Sequence, residues 1–353
     1  MLGDILYFIF GLALIIGGAN ILTDGASAVA RRFKVSDLVI GLTIVAIGSS
    51  TPDLVVAITS TLEHKSQLAV GDVVGANLFD ILIVVGIVAL MRPLRPSRTM
   101  LNQDFPMLLI SSAALFFCAD DTIIDGSPAN LMDRTDGLML LCLFSIFMWN
   151  TFLAAKSPVN PAPPISPVPH VNPVPSSPPV PPVNPVKNNP TRYLQSLMSR
   201  YLWFAALCVV AGLAALVIGG NWLVDGASGI ARLLGMSEAL IGLTIVAFCG
   251  AAPDLATAVT ATLKGKQGIA MGSVIGGCII NVFLVLGLSA TIMPLDASGF
   301  DFVDFGTLLL GSVLLLLFSR ILTPGRITRW QGILLILLYV AYMLHTILPA
   351  LHS

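Results

Sequence analysis

The chain has 353 residues, 56% hydrophobic and only 10% charged, with a mean hydropathy of +0.91. A soluble domain carries about 25% charged residues, so an ordinary cytosolic enzyme is excluded. A formal net charge of −1 with no basic domain also excludes nucleic-acid binding as the main role.

The composition suits a bilayer, which an apolar helix of about 20 residues crosses. Met1-Leu2-Gly3-Asp4 has no positive cluster, and the apolar stretch Ile5–Thr23 is longer than a signal-peptide core, so it reads as a retained first helix. Apolar segments then lie near 5–30, 37–62, 67–91, 104–120 and 136–155. Ser157–Pro190 interrupts them with 14 of the 23 prolines and no acidic residue. That density favours extended polyproline II and reads as a spacer outside the membrane. Five more segments follow near 201–228, 238–263, 267–293, 302–320 and 328–348. The chain thus divides into a five-helix unit at 1–156, a linker at 157–190 and a second five-helix unit at 191–353. All five cysteines (Cys118, Cys142, Cys208, Cys249, Cys278) lie in apolar stretches, so no disulfide framework is expected.

The two units repeat one another. Asp24–Leu94 aligns with Asp225–Leu295 at a constant offset of 201 without a gap, and 31 of the 71 positions are identical. Ile40-Gly-Leu-Thr-Ile-Val-Ala46 recurs as Ile241-Gly-Leu-Thr-Ile-Val-Ala247, and Pro52-Asp-Leu54 as Pro253-Asp-Leu255. Five spans is an odd number, so two such units in series enter the membrane with opposite orientation. The expected fold is an all-α membrane protein of ten transmembrane helices in two inverted repeats, the architecture of secondary transporters.

Charge tests that topology independently. With the N-terminus outside, 15 of the 18 basic residues fall in inward loops, leaving only Lys65, Arg134 and Arg232 outside. The positive-inside rule therefore places both termini outside and the linker in the cytoplasm. Asp120, Asp121, Asp125, Asp133, Asp136, Asp296, Asp301 and Asp304 gather in outward loops, where they serve solubility and orientation or, alternatively, form a weak cation-attracting vestibule.

Inside the spans charge is rare. Asp53 in the second segment has Asp254 as its repeat mate, and Asp80 in the third has Asn281. An aspartate at mid-membrane costs about 2.5–3.5 kcal/mol on insertion scales and normally faces a polar cavity or a bound ion. Pro52 cannot bond back to the Gly48 carbonyl, nor Pro253 to that of Cys249, so both helices should break beside their aspartates. Ser49 and Ser50, four and three residues before Asp53, share its helical face. Gly71, Gly75 and Gly86 recur as Gly272, Gly276 and Gly287 and permit close helix packing. The resulting set of carboxylates, amide, hydroxyls and bare carbonyls is all hard oxygen, suited to calcium or sodium. Asp24 is expected to pair with Arg31 and Asp225 with Arg232, Asp72 is a candidate accessory ion contact, and His345 reads as interfacial. Cys249 and Cys278 are alternative soft ligands but more simply apolar filling.

These motifs, Gly48-Ser-Ser-Thr-Pro-Asp53 with Gly75-Ala-Asn-Leu-Phe-Asp80 and Gly250-Ala-Ala-Pro-Asp254 with Gly276-Gly-Cys-Ile-Ile-Asn281, resemble the calcium/cation antiporter superfamily, in particular the bacterial sodium/calcium exchangers. The resemblance spans nearly the whole chain outside the linker. It implies an antiporter of the cell (inner) membrane that exchanges calcium for sodium by alternating access. The ion ligands it implies are Asp53, Asp254, Asp80, Asn281, Ser49, Ser50 and Gly250. No cofactor, enzymatic activity or nucleic acid is expected, and the sequence predicts no particular protein partner; the partners are calcium, sodium or proton and the lipid bilayer.

The chain also departs from the family pattern. Aspartate replaces the usual glutamate after each proline, the second repeat lacks hydroxyls at Gly250 and Ala251, and Ala76 and Gly277 stand where the family has serine. Fewer hydroxyls weaken sodium sites more than a calcium site built on carboxylates, so proton coupling is the alternative. A passive channel and an intramembrane aspartyl protease are the other readings. The protease lacks a Gly-x-Gly-Asp motif and has no need of the symmetry.

Overall fold

Runs of Leu, Ile, Val and Ala broken by short polar turns give helices throughout a computed structural model that describes residues 2–119, 130–156, 202–233 and 251–352. The helices are α1 (Leu2–Phe33), α2 (Asp37–Ser49), α3 (Thr51–Leu62), α4 (Ser66–Met91), α5 (Met100–Ala119) and α6 (Arg134–Lys156), then α7 (Leu202–Leu233), α8 (Ala252–Leu263), α9 (Gln267–Ile292), α10 (Phe302–Leu322) and α11 (Arg329–His352). Among the described residues seven of these are long and apolar enough to cross a bilayer, and α2 with α3, bent by 41°, makes an eighth. The expected segments at 238–250 and the linker at 157–190 lie outside the described residues.

α1 and α7 are repeat mates of 32 residues each. At 1.5 Å per residue each is about 48 Å long, well over the ~30 Å hydrocarbon layer. They run antiparallel with their backbones in contact. Gly11, Gly18 and Gly25 recur every seven residues and meet the equally spaced Gly212, Gly219 and Gly226. A side chain at Gly18 would sit 2.9 Å from the Gly212 carbonyl, and one at Gly219 would sit 2.9 Å from the Gly11 carbonyl. Only glycine allows that approach.

α4 and α9 form the centre; their apolar side chains, from Val70 to Ala89 and from Ile269 to Ala290, are almost all buried. α1 and α6 lie at the periphery and expose Tyr7, Phe10, Trp149 and Phe152, as lipid-facing helices do. The turns into α4 and α9 match as well, since His64 (φ 61°) and its mate Gly265 (φ 73°) both adopt the left-handed conformation that ends a helix.

The connections segregate to two ends. At one end Leu131–Met132 (β1) pairs with Leu295–Asp296 (β2), and Gln67 donates to Asp296 Oδ2 at 2.7 Å. At the other, Leu94 pairs with Ile327, Lys266 meets Asp37 at 3.2 Å, and Arg320 donates to the Leu101 carbonyl at 2.9 Å. The four described cysteines, Cys118, Cys142, Cys208 and Cys278, are free thiols.

Candidate functional site

The proline breaks form as the sequence requires. α2 stops at Ser49, Ser50 takes φ −80° and ψ −1°, and α3 restarts at Thr51 with Pro52 in its first turn. In the second repeat Ala251 has φ −84° and ψ −2°, and α8 starts at Ala252 with Pro253 in its first turn. Asp53 and Asp254 therefore each sit in the first turn of a helix, where the positive end of the dipole favours a carboxylate.

These two motifs from separate repeats line one cavity of about 120 Å³, bounded by Gly48, Ser49, Asp53, Pro253, Asp254 and, from α7, Asn221. Asp53 and Asp254 face this cavity from the two repeats. Asp72, the expected accessory contact, lies about two helical turns before Asp80 on α4 and is not among the residues lining the cavity.

Behind the cavity, α4 and α9 each loosen into a π-helical turn, at Phe79–Val84 and Asn281–Leu286, which the repeat offset superposes to within one residue. Such turns displace backbone carbonyls and are frequent at functional sites. Asp80, Asn281 and Asn77 are all buried there. Asn281 Nδ2 donates to Asp53 Oδ2 at 3.3 Å and to Asn77 Oδ1 at 3.4 Å, while Asn77 Nδ2 donates to the Cys278 carbonyl at 3.0 Å. The Cys278 thiol points at Asp80 Oδ2, 3.9 Å away.

Two acceptors in this network have no donor. Asp80 Oδ1 and Asn281 Oδ1 are fully buried without a hydrogen-bond partner. The Asn281 amide commits its NH₂ to Asp53 and Asn77, which turns its oxygen the other way. A buried unpaired acceptor costs about 1–3 kcal/mol, and a cation or an ordered water removes that cost. Repeat-related positions therefore present a carboxylate oxygen and an amide oxygen with the donor set of a hard cation.

The remaining expected residues are partly placed here. Ser49 lines the cavity and donates to the Ala46 carbonyl at 3.2 Å. Ser50 is buried; a methyl at Gly277 would lie 3.9 Å from Ser50 Oγ and 4.0 Å from Asp80 Oδ2, so both face the vacant side of Gly277. Gly250 and Cys249 lie outside the described residues. Among the described residues no three His, Cys, Asp or Glu side chains converge tightly enough to hold a metal ion by themselves. Asp53 and Asp254 line the cavity, while Asp80 lies behind it.

One pairing differs from expectation. Asp24 bonds to Lys264 at 2.9 Å rather than to Arg31. Arg31 is seven residues further along the same helix, about 10 Å of rise, whereas Lys264 arrives from the end of α8. The side chain of Arg232, the expected partner of Asp225, is outside the described residues.

Sequence reasoning missed Asn77 as a link between repeats, Asn221 as a cavity wall and the π-helical turns. Asn77 stood inside a quoted motif as an amide in an apolar run. Asn221 has a repeat mate in Asn20, and a duplicated amide on a long apolar helix was a signal available in the sequence.

The sequence profile of the sodium/calcium exchanger protein family matches residues 4–153 and 204–348. The chain is 32% identical to CaxA of Alkalimonas amylolytica, over 97% of this chain and 98% of that protein. It is 30% identical to the sodium/calcium exchanger MaX1 of Methanosarcina acetivorans, over 96% and 97% of the two chains, and 29% identical to the inner membrane protein YrbG of Escherichia coli, over 90% of each. Among solved structures it is similar to the sodium-calcium exchanger NCX_Mj soaked with sodium and calcium, with a TM-score of 0.73, 28% identity and 97% of each chain covered.

Proposed function

The chain belongs to the sodium/calcium exchanger family, and from that premise we propose that it is a multi-pass antiporter exchanging calcium for sodium across the cell membrane by alternating access. The observation that carries this reading is the meeting of both Pro-Asp motifs at one cavity, with the unpaired oxygens of Asp80 and Asn281 behind it. Asp53, Asp254 and Asp80 supply charge, Asn281 an amide oxygen, Ser49 and Ser50 hydroxyls, and Gly250 a backbone carbonyl.

Electrostatics gives the coupling. Like charges about 4 Å apart repel by on the order of 4 kcal/mol at an effective dielectric constant near 20. A site with three carboxylates is therefore unfavourable when empty, and a transition that buries it needs a divalent cation or its monovalent replacements. Each half-cycle then moves cations, calcium in one direction and its replacements in the other, which is exchange.

The fold behind this is ten spans in two inverted repeats, at 1–156 and 191–353, joined by the proline-rich linker at 157–190. The antiparallel run of the repeat mates α1 and α7 supports the inversion. Segregation of the connections supports the orientation: residues expected inside (Lys266, Leu94, Ile327) gather at one end, and those expected outside (Gln67, Asp296, Met132) at the other. Both termini then lie outside and the linker lies in the cytoplasm. The inner-membrane relative YrbG favours the cell membrane as location.

One observation favours proton coupling as a second reading. Ala251 and Gly277 bring no hydroxyl to the site, which leaves a sodium ion fewer neutral ligands. Calcium flux in proteoliposomes, with sodium and proton gradients imposed separately, tests both. Sodium-driven calcium uptake supports the first; uptake driven only by a proton gradient supports the second; calcium flux independent of either opposing ion overturns exchange.

A further inference from the structure

A second charged cavity, separate from the one lined by Asp53 and Asp254, lies at the end of the molecule where α1 stops and α8 turns into α9. It measures about 350 Å³ and is lined by Asp24, Ser27, Arg31, Lys264 and Lys266. Its charges do not cancel. Lys264 is matched by Asp24 at 2.9 Å and Lys266 by Asp37 at 3.2 Å, so two of the three cations are neutralised. The exposed Arg31 side chain has no ion pair or hydrogen bond among the described residues, which leaves the cavity one positive charge in excess.

The hydrogen-bond inventory is unbalanced in the same direction. Lys264 spends two of its three N–H groups, on Asp24 and on the Asn20 carbonyl at 2.8 Å. Lys266 uses one, on Asp37, and Arg31 uses none of its five. Ser27 is only 3% exposed, lines the cavity, and its hydroxyl is buried with no partner at all. A helical serine normally returns its hydroxyl to a carbonyl one turn back; Thr23, one turn before it, bonds to Ala19 at 2.7 Å. The cavity therefore offers surplus donors and one net positive charge, the complement of a singly charged anion rich in acceptor oxygens.

The flanks indicate where that anion comes from. Phe33, two residues past Arg31, is 60% exposed, and Leu263, next to Lys264, is 62% exposed. Large apolar side chains left open beside a basic cavity suit a ligand with a charged head and acyl chains. Basic pockets between membrane helices bind anionic lipid headgroups in this way.

We propose that this cavity binds the phosphate of an anionic phospholipid, with Arg31, Lys266 and Ser27 as its donors, and that the bound lipid ties the end of α1 to the α8–α9 turn. The cytoplasmic placement of that lipid rests on the orientation proposed above; the phosphate chemistry does not.

The test uses the purified full-length protein in detergent and reads its thermal unfolding midpoint, which needs no ion transport. Phosphatidylglycerol should raise the midpoint, whereas phosphatidylcholine and inorganic phosphate at equal concentration should not. Arg31→Gln should lose at least half of that increment, and Ser27→Ala a smaller part. Arg98→Gln, an exposed basic residue on another loop, should keep all of it. Equal protection by phosphatidylcholine overturns an anion site, and equal protection by inorganic phosphate overturns a lipid as its occupant. An unchanged increment in Arg31→Gln, or an equal loss in Arg98→Gln, shows diffuse surface attraction and overturns this cavity as the site.

Discussion

The two junctions between the long helices and the broken ones are related by the repeat, yet they differ. On the side proposed to be cytoplasmic, α1 packs along α8, and Lys264 clamps Asp24 and the Asn20 carbonyl. The related junction would bring α7 onto α3, but those helices scarcely touch. There Glu63 occupies the position of Lys264 and is paired with its neighbour Lys65 at 2.8 Å, while Asn221, the mate of Asn20, faces the cavity. Duplication therefore supplies both junctions with the same helices and breaks. The junctions differ at positions outside the identical 31, among them Lys264 and Glu63.

Substitutions can break or sharpen that contrast. The largest effect is expected where the repeats are alike: Asp53→Asn and Asp254→Asn should each reduce calcium exchange in proteoliposomes to background, with membrane insertion and helix content unchanged. Normal exchange by either variant would remove that residue from the site and make the repeats functionally unequal.

Next comes Asn77→Leu, at a position whose mate is Cys278. It strands the buried Cys278 carbonyl and one donor of Asn281, so stability should fall by about 1–3 kcal/mol. Calcium affinity should fall by roughly tenfold, as expected for a charge-assisted network losing about 1.4 kcal/mol. Thermal unfolding and a calcium titration read the two separately.

Lys264→Glu makes the closed junction resemble the open one. The ion pair is about a quarter exposed on each side, so its loss should cost on the order of 1 kcal/mol, with added repulsion from Asp24. Access to the ion site from the cytoplasmic face should rise several-fold, measured as the apparent affinity for calcium on that face. The converse, Glu63→Lys, offers Asp225 a partner and should lower apparent affinity on the outer face by a smaller factor. No change in either would mean that packing, not charge, sets the asymmetry. The smallest effect belongs to the linker: shortening Ser157–Pro190 to a flexible tether should leave exchange within about twofold, and its loss in a folded variant would give the segment a coupling role.

Much of this was legible in the sequence because its signals were covalent or periodic. Proline at positions 52 and 253 lacks a donor wherever it stands, so the helix breaks follow from chemistry alone. The constant offset of 201 made every residue a hypothesis about its mate. Contacts between helices distant in sequence were not legible. Asp24 was assigned to Arg31 from proximity along one helix, whereas its partner comes 240 residues later, from a helix whose approach depends on the whole packing. Asn77 belonged to a known motif, but its bond to the carbonyl of its own repeat mate exists only after the repeats have met. The π-helical turns at Phe79 and Asn281 have no compositional mark.

Where the glycines of α1 and α7 meet, backbone lies against backbone, with side chains such as Leu22 and Ala215 packed beside the contact. Two rods joined so directly tilt as one plank. On the alternating-access reading proposed above, lifting α1 from α8 would swing α7 towards α3, so that opening one doorway would shut the other. Such a seesaw would deny ions a continuous path without a separate gate for each side.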